Sequence, residues 1–82
     1  MANPNFTAIH RSDALRLLED GEPHRLKVWK LTSGEILEYL DAVYTGHHAR
    51  GGTHRVRLAA SGQIRVFRDC LLFEIDDLSV YF

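Results

Sequence analysis

The chain has one cysteine, no apolar stretch near the length of a membrane span, and none of the familiar catalytic, metal or nucleotide motifs. A single thiol cannot form an internal disulfide, so packing alone must hold the fold, and the reducing cytoplasm is the expected compartment. No run approaches the roughly 20 apolar residues that cross a bilayer, and Met1-Ala2-Asn3-Pro4-Asn5 lacks the basic and apolar regions of a secretion signal. No membrane partner is therefore expected. HExxH, Walker, GxGxxG and EF-hand spacings are missing, and Ser33 and Ser61 stand before glycines without the G-x that leads into a nucleophile elbow. The chain thus reads as non-enzymatic, with no catalytic residue, no cofactor and no metal, and a domain of 82 residues has little depth for a water-excluding pocket.

The composition, 45% hydrophobic and 26% charged, is that of a folded domain rather than a disordered segment. The chain is expected to form a single domain, 1–82, with a small core. Its most informative feature is an internal repeat at an offset of 28: Val28, Ser33, Gly34, Ile36 and Asp41 recur as Val56, Ser61, Gly62, Ile64 and Asp69. A strand, a Ser-Gly turn and a return strand are used twice, which predicts two similar β-hairpins.

Residues 1–6 read as a flexible polar arm. A short helix is predicted over 12–20, with Ser12 as N-cap, Asp13 in its first turn, Gly21 after its end, and Ala14, Leu15, Leu17 and Leu18 as its apolar stripe. Strands are predicted over 24–31, 35–45, 53–59, 63–69, 70–75 and 78–82. The fold class is mainly β (α+β): a small curled antiparallel sheet or SH3-like barrel of 5–6 strands with one N-terminal helix. Taking Ala60-Ser61-Gly62 as a three-residue loop places Leu58 opposite Ile64 and Val56 opposite Val66, with Arg57 and Arg65 together on the other side. In the first hairpin Trp29, Leu31, Leu37 and Tyr39 compete with Val28, Ile36 and Leu40 for the inward face. The apolar end Leu78-Ser79-Val80-Tyr81-Phe82 predicts a paired final strand with Tyr81 buried. Cys70, heading Cys70-Leu71-Leu72-Phe73, is expected to be a buried packing residue.

Charge is distributed unevenly. Residues 46–68 hold Arg50, Arg55, Arg57, Arg65 and Arg68 with His47, His48 and His54 and no acid, while all eleven acids and the other five basic residues lie outside, giving +5 against −6. The five arginines are the candidate binding residues, suited to the carboxylates of a protein partner or of another copy. Nucleic acid is the second reading, with Arg57 and Arg65 beside Phe67 as the charge and stacking surface. The adjacent histidines His47 and His48 point in opposite directions in an extended chain, and no cysteine or carboxylate completes a zinc spacing around them. Asp41 and Asp69, equivalent in the repeat, are expected to share a structural role at strand ends.

Arg50-Gly51-Gly52-Thr53, Ser61-Gly62-Gln63-Ile64-Arg65 with Arg68, Phe73-Glu74-Ile75 and Val80-Tyr81 together resemble short uncharacterised β-rich proteins of Bacteroidetes, some from phage-derived or mobile regions. The resemblance spans residues 24–82. It implies a small accessory or assembly protein and carries no active site.

Overall fold

The computed structural model describes residues 8–81; the predicted arm, 1–6, lies outside them, as does Phe82. In chain order the elements are β1 (Ala8–His10), α1 (Arg11–Leu18), β2 (His24–Trp29), β3 (Ile36–His48), β4 (Thr53–Leu58), β5 (Ile64–Arg68), β6 (Leu72–Ile75) and β7 (Leu78–Tyr81), with a single 3₁₀ turn over Asp69–Leu71 before β6. They form one helix and one seven-stranded mixed sheet, in the order β1-β7-β6-β2-β3-β4-β5. The mainly-β expectation holds; the barrel does not, because β1 and β5 are separate edges that never meet. Nor is the sheet wholly antiparallel, since β1 pairs with β7 in parallel, Ala8 opposite Ser79 and Ile9 opposite Val80.

The helix begins earlier than predicted. His10 is extended, and its Nδ1 accepts the Ser12 N–H at 3.1 Å, so His10 rather than Ser12 caps the first turn. Ala14 and Leu18 are fully buried and join Leu26, Val28, Tyr39, Ala42, Val56, Phe67, Leu72 and Ile75 in the core. An eight-residue helix is too short to persist alone, so this docking is what stabilises it. It also places the helix's C-terminal end, Glu19 and Asp20, over the sheet.

The two Ser-Gly turns are built alike. Lys30 N–H donates to the Glu35 carbonyl at 2.7 Å and Gly34 N–H to the Lys30 carbonyl at 2.8 Å; Leu58 with Gln63 and Gly62 with Leu58 repeat both bonds at 2.8 and 2.7 Å. Gly34 and Gly62 hold φ of +74° and +73°, and a Cβ at either would meet nothing within 4 Å. Replacing either with alanine should therefore cost about 1 kcal/mol from backbone conformation alone, read by chemical denaturation. An unchanged midpoint at both sites would contradict this account of the turns.

The loop of the second hairpin is four residues, 59–62, not three, and the register moves by one. Val56 faces Arg65 and Arg57 faces Ile64. In a strand a one-residue slip exchanges faces, so Arg57 and Arg65, expected together, lie on opposite sides of the sheet. In the first hairpin Leu26, Val28 and Tyr39 take the inward face, while Trp29, Leu31, Ile36 and Leu40 remain exposed. Cys70 is exposed in the 3₁₀ turn instead of packed in a strand. Tyr81 is 53% exposed, contrary to expectation, although its strand is paired on both sides, with β6 and with β1. Leu78 and Val80 occupy the inward phase there, leaving Tyr81 to pack edge-on against His10 at 5.4 Å.

Candidate functional site

Three strands build the basic surface. Cross-strand pairing aligns Val43, Arg57 and Ile64 in one row, Gly46, Arg55 and Val66 in the next, and His48, Thr53 and Arg68 in the third. These rows share the outward face, because the alternate positions His54, Val56 and Phe67 are buried within. Arginines and aliphatic side chains are therefore interleaved beside β5, an open edge of the sheet. Gly46 has a specific task in this surface: the Arg55 guanidinium lies 3.0 Å from where a Cβ would stand, and Arg55 Nε donates to Thr45 Oγ1 at 3.1 Å.

Of the five predicted arginines, Arg55, Arg57 and Arg68 lie on this face and Arg50 lies in the turn beyond it. Arg65 is on the inner side, half-buried, with its guanidinium bonded to the Ile64 carbonyl and to Gln63. Burial raises the Tyr39 phenol above its ordinary pKa, while the charge of Arg65 acts in the opposite sense. Among the described residues none of the five forms an ion pair, whereas Arg16, Arg25 and Lys27 lie against Asp13, Asp77 and Glu74.

The structure also assembles two polar clusters that the sequence analysis missed. Both are buried histidines held between two carboxylates. His24 meets Asp76 through Nδ1 and Asp20 through Nε2, the latter at 2.9 Å. His54 meets Asp69 through Nδ1 at 2.6 Å and Glu19 through Nε2 at 2.8 Å. Glu19 and Asp20 follow the helix directly, so the two imidazoles tie one helix end to β2 and β4. Burial lowers the His24 pKa, but hydrogen bonds and charge from Asp76 and Asp20 outweigh it, leaving the ring above its ordinary value. Asp20 is held below the usual carboxylate range by the Glu22 N–H and by His24. Asp76 and Asp77 form the β6–β7 turn at φ of +47° and +69°. Asp76 is fixed there by the Arg25 backbone, whose N–H donates to it at 3.0 Å.

Asp41 and Asp69 do not share a role. Asp69 receives His54, whereas Asp41 is exposed and its backbone carbonyl accepts Ala59 N–H at 2.9 Å. Strand β3 runs on through both adjacent histidines, beyond its predicted end at 45: His47 faces His54 across the strands, and His48 turns outward, its Nδ1 accepting Gly51 N–H at 3.0 Å. A signal for the buried pair was present in the alternation. His24-Leu26-Val28 and His54-Val56-Leu58 each place a histidine on the apolar phase of a strand, and such a residue needs a polar partner from elsewhere in the fold. No protein-family model, curated protein or solved structure matches the chain.

Proposed function

We infer that this chain is a non-enzymatic assembly module in which the arginine-bearing hairpin, β4–β5, docks on the acidic stretch 35–41 at the start of β3 of a second copy. The observation that carries this reading is the complementarity of these two patches, since 35–41 carries Glu35, Glu38 and Asp41 with no base, although Arg25, Lys27 and Lys30 make the β2–β3 hairpin neutral as a whole. Ile64 and Val66, 48% and 60% exposed, lie among arginines that form no ion pair among the described residues. On the first hairpin Leu31, Ile36 and Leu40, 63%, 54% and 62% exposed, lie among Glu35, Glu38 and Asp41, which form no ion pair among the described residues. Exposed ion pairs are individually worth about 0–1 kcal/mol, so the apolar residues supply affinity while the charges set orientation and salt sensitivity. A contact between two different patches of one chain is head-to-tail, and it closes into a ring or continues as a chain of copies.

Nucleic acid uses the same arginines but loses its stacking platform, because Phe67 is buried and Arg65 faces away from Arg57. The test is sedimentation velocity across salt, since screening shortens from about 30 Å at 0.01 M to about 3 Å at 1 M. Concentration-dependent association at low salt, weakened at high salt and removed by R57E/R68E, is the expected result. A monomer at the highest soluble concentration in low salt would contradict it. Saturable micromolar binding of single-stranded DNA at physiological salt would put nucleic acid in its place.

A further inference from the structure

We propose that Glu19, His47 and His54 form a binding site for a divalent transition-metal ion of the zinc type. The three residues come from the end of α1, from β3 and from β4, and one ligand atom of each lies within 4.8 Å of the others. A tetrahedral ion with bonds of about 2.0–2.1 Å sets its ligand atoms roughly 3.3 Å apart, so the 2.8 Å contact between His54 Nε2 and Glu19 opens slightly and His47 closes in. Glu19 and His47 are exposed and free to make that adjustment, whereas His54 is buried and fixed.

Hydrogen bonding around the rings matches a ligand set. His54 Nδ1 is held by the Asp69 carboxylate at 2.6 Å, and His47 Nδ1 by the Tyr44 hydroxyl at 2.6 Å. With each Nδ1 so engaged, Nε2 is the ring atom left to meet an ion, at His54 by opening its contact with Glu19, and the carboxylate–histidine pairing is the outer-shell arrangement that orients metal ligands. The two rings are stacked, 5.2 Å apart and 20° from parallel, so the exposed His47 must turn for its in-plane lone pair to meet an ion shared with His54. His24 is bracketed by two carboxylates in the same manner, but no third donor converges there among the described residues, whereas at His54 the imidazole of His47 supplies one. Two nitrogens and one carboxylate oxygen suit zinc over calcium or magnesium, and three protein ligands leave a position for water or an outside donor.

Titration of the full chain with zinc chloride by isothermal calorimetry tests the site, with cobalt(II) absorption in the visible as a report on tetrahedral geometry. One ion per chain at micromolar affinity or tighter is expected, and added zinc should raise the thermal midpoint. His47→Ala and Glu19→Gln, both at exposed positions, should each weaken binding by about tenfold or more, as should Asp69→Asn through the outer shell. His48→Asn, which keeps an acceptor for Gly51, should bind as the parent does. Absence of saturable binding, or binding unchanged by His47→Ala in a variant with native circular dichroism, would overturn the proposal.

Discussion

Leu18→Ala is expected to lower the thermal midpoint by more than about 10 °C, the largest effect of any single substitution considered for this chain. Leu18 is fully buried at the last turn of α1, and truncating such a leucine costs about 2–5 kcal/mol through lost transfer energy and the cavity left behind. A domain of this size has roughly 4–12 kcal/mol in total, so that loss is a large fraction of its stability. The position matters as much as the volume. Glu19 and Asp20 reach His54 and His24 only while Leu18 holds the helix end on the sheet, so hydrophobic and polar anchoring fail together. Leu17→Ala, at a half-buried site one residue earlier, should cost distinctly less. Thermal unfolding followed by circular dichroism checks both, and equal midpoints for the two variants would contradict the docking described.

The second large effect is at His24. Replacement by leucine leaves Asp20 and Asp76 facing an apolar group, at a cost of about 1–3 kcal/mol that the partial exposure of both carboxylates keeps towards the lower end. Its signature is in the pH dependence. The folded-state pKa of His24 lies above the ordinary histidine value of 6.5, so the protonated ring's contribution is fully present below that pH and is lost as pH rises through the folded value. The groups that face the ring are Asp20 from the helix end and Asp76 from the β6–β7 turn; the nearby Arg25 guanidinium is paired with Asp77. The parent should therefore lose stability from slightly acid to alkaline pH by urea denaturation, and His24→Leu should flatten that slope. A slope identical in parent and variant would show that the ring's charge does not stabilise the fold.

The difference between what was legible in the sequence and what was not follows the range of the interactions. The Ser-Gly turns were readable because a left-handed glycine and its flanking hydrogen bonds are decided within six residues, and both turns have the same bonds. The register after the second turn was not. It depends on whether Ala59 ends the strand or enters the loop, a one-residue choice that moved Arg65 to the inner face and left Arg57 outside. Strand β1 was missed because only three residues long, it pairs with a strand some 70 positions away, and nothing local marks it. Tyr81 was misplaced because apolar residues occupy both phases of the last strand, and only the packing of Leu78 and Val80 decides which phase is inside. The arginines were found from charge alone, whereas Glu19, Asp69 and Asp76 reach their histidines across 35, 15 and 52 positions, which spacing does not reveal.

Mixing two reversed chains tests the assembly proposal most directly. R57E/R68E removes the basic patch of β4–β5 but keeps the acidic stretch 35–41, and E38K/D41K does the opposite. A head-to-tail contact between the two patches requires each variant to be monomeric alone and the pair to associate when combined, because each mixture restores at least one complementary contact. Equilibrium sedimentation at low salt should show association only in the mixture. If the mixture stays monomeric while the parent associates, or if either variant alone associates as the parent does, the arginine hairpin does not meet the acidic stretch 35–41 of a second copy.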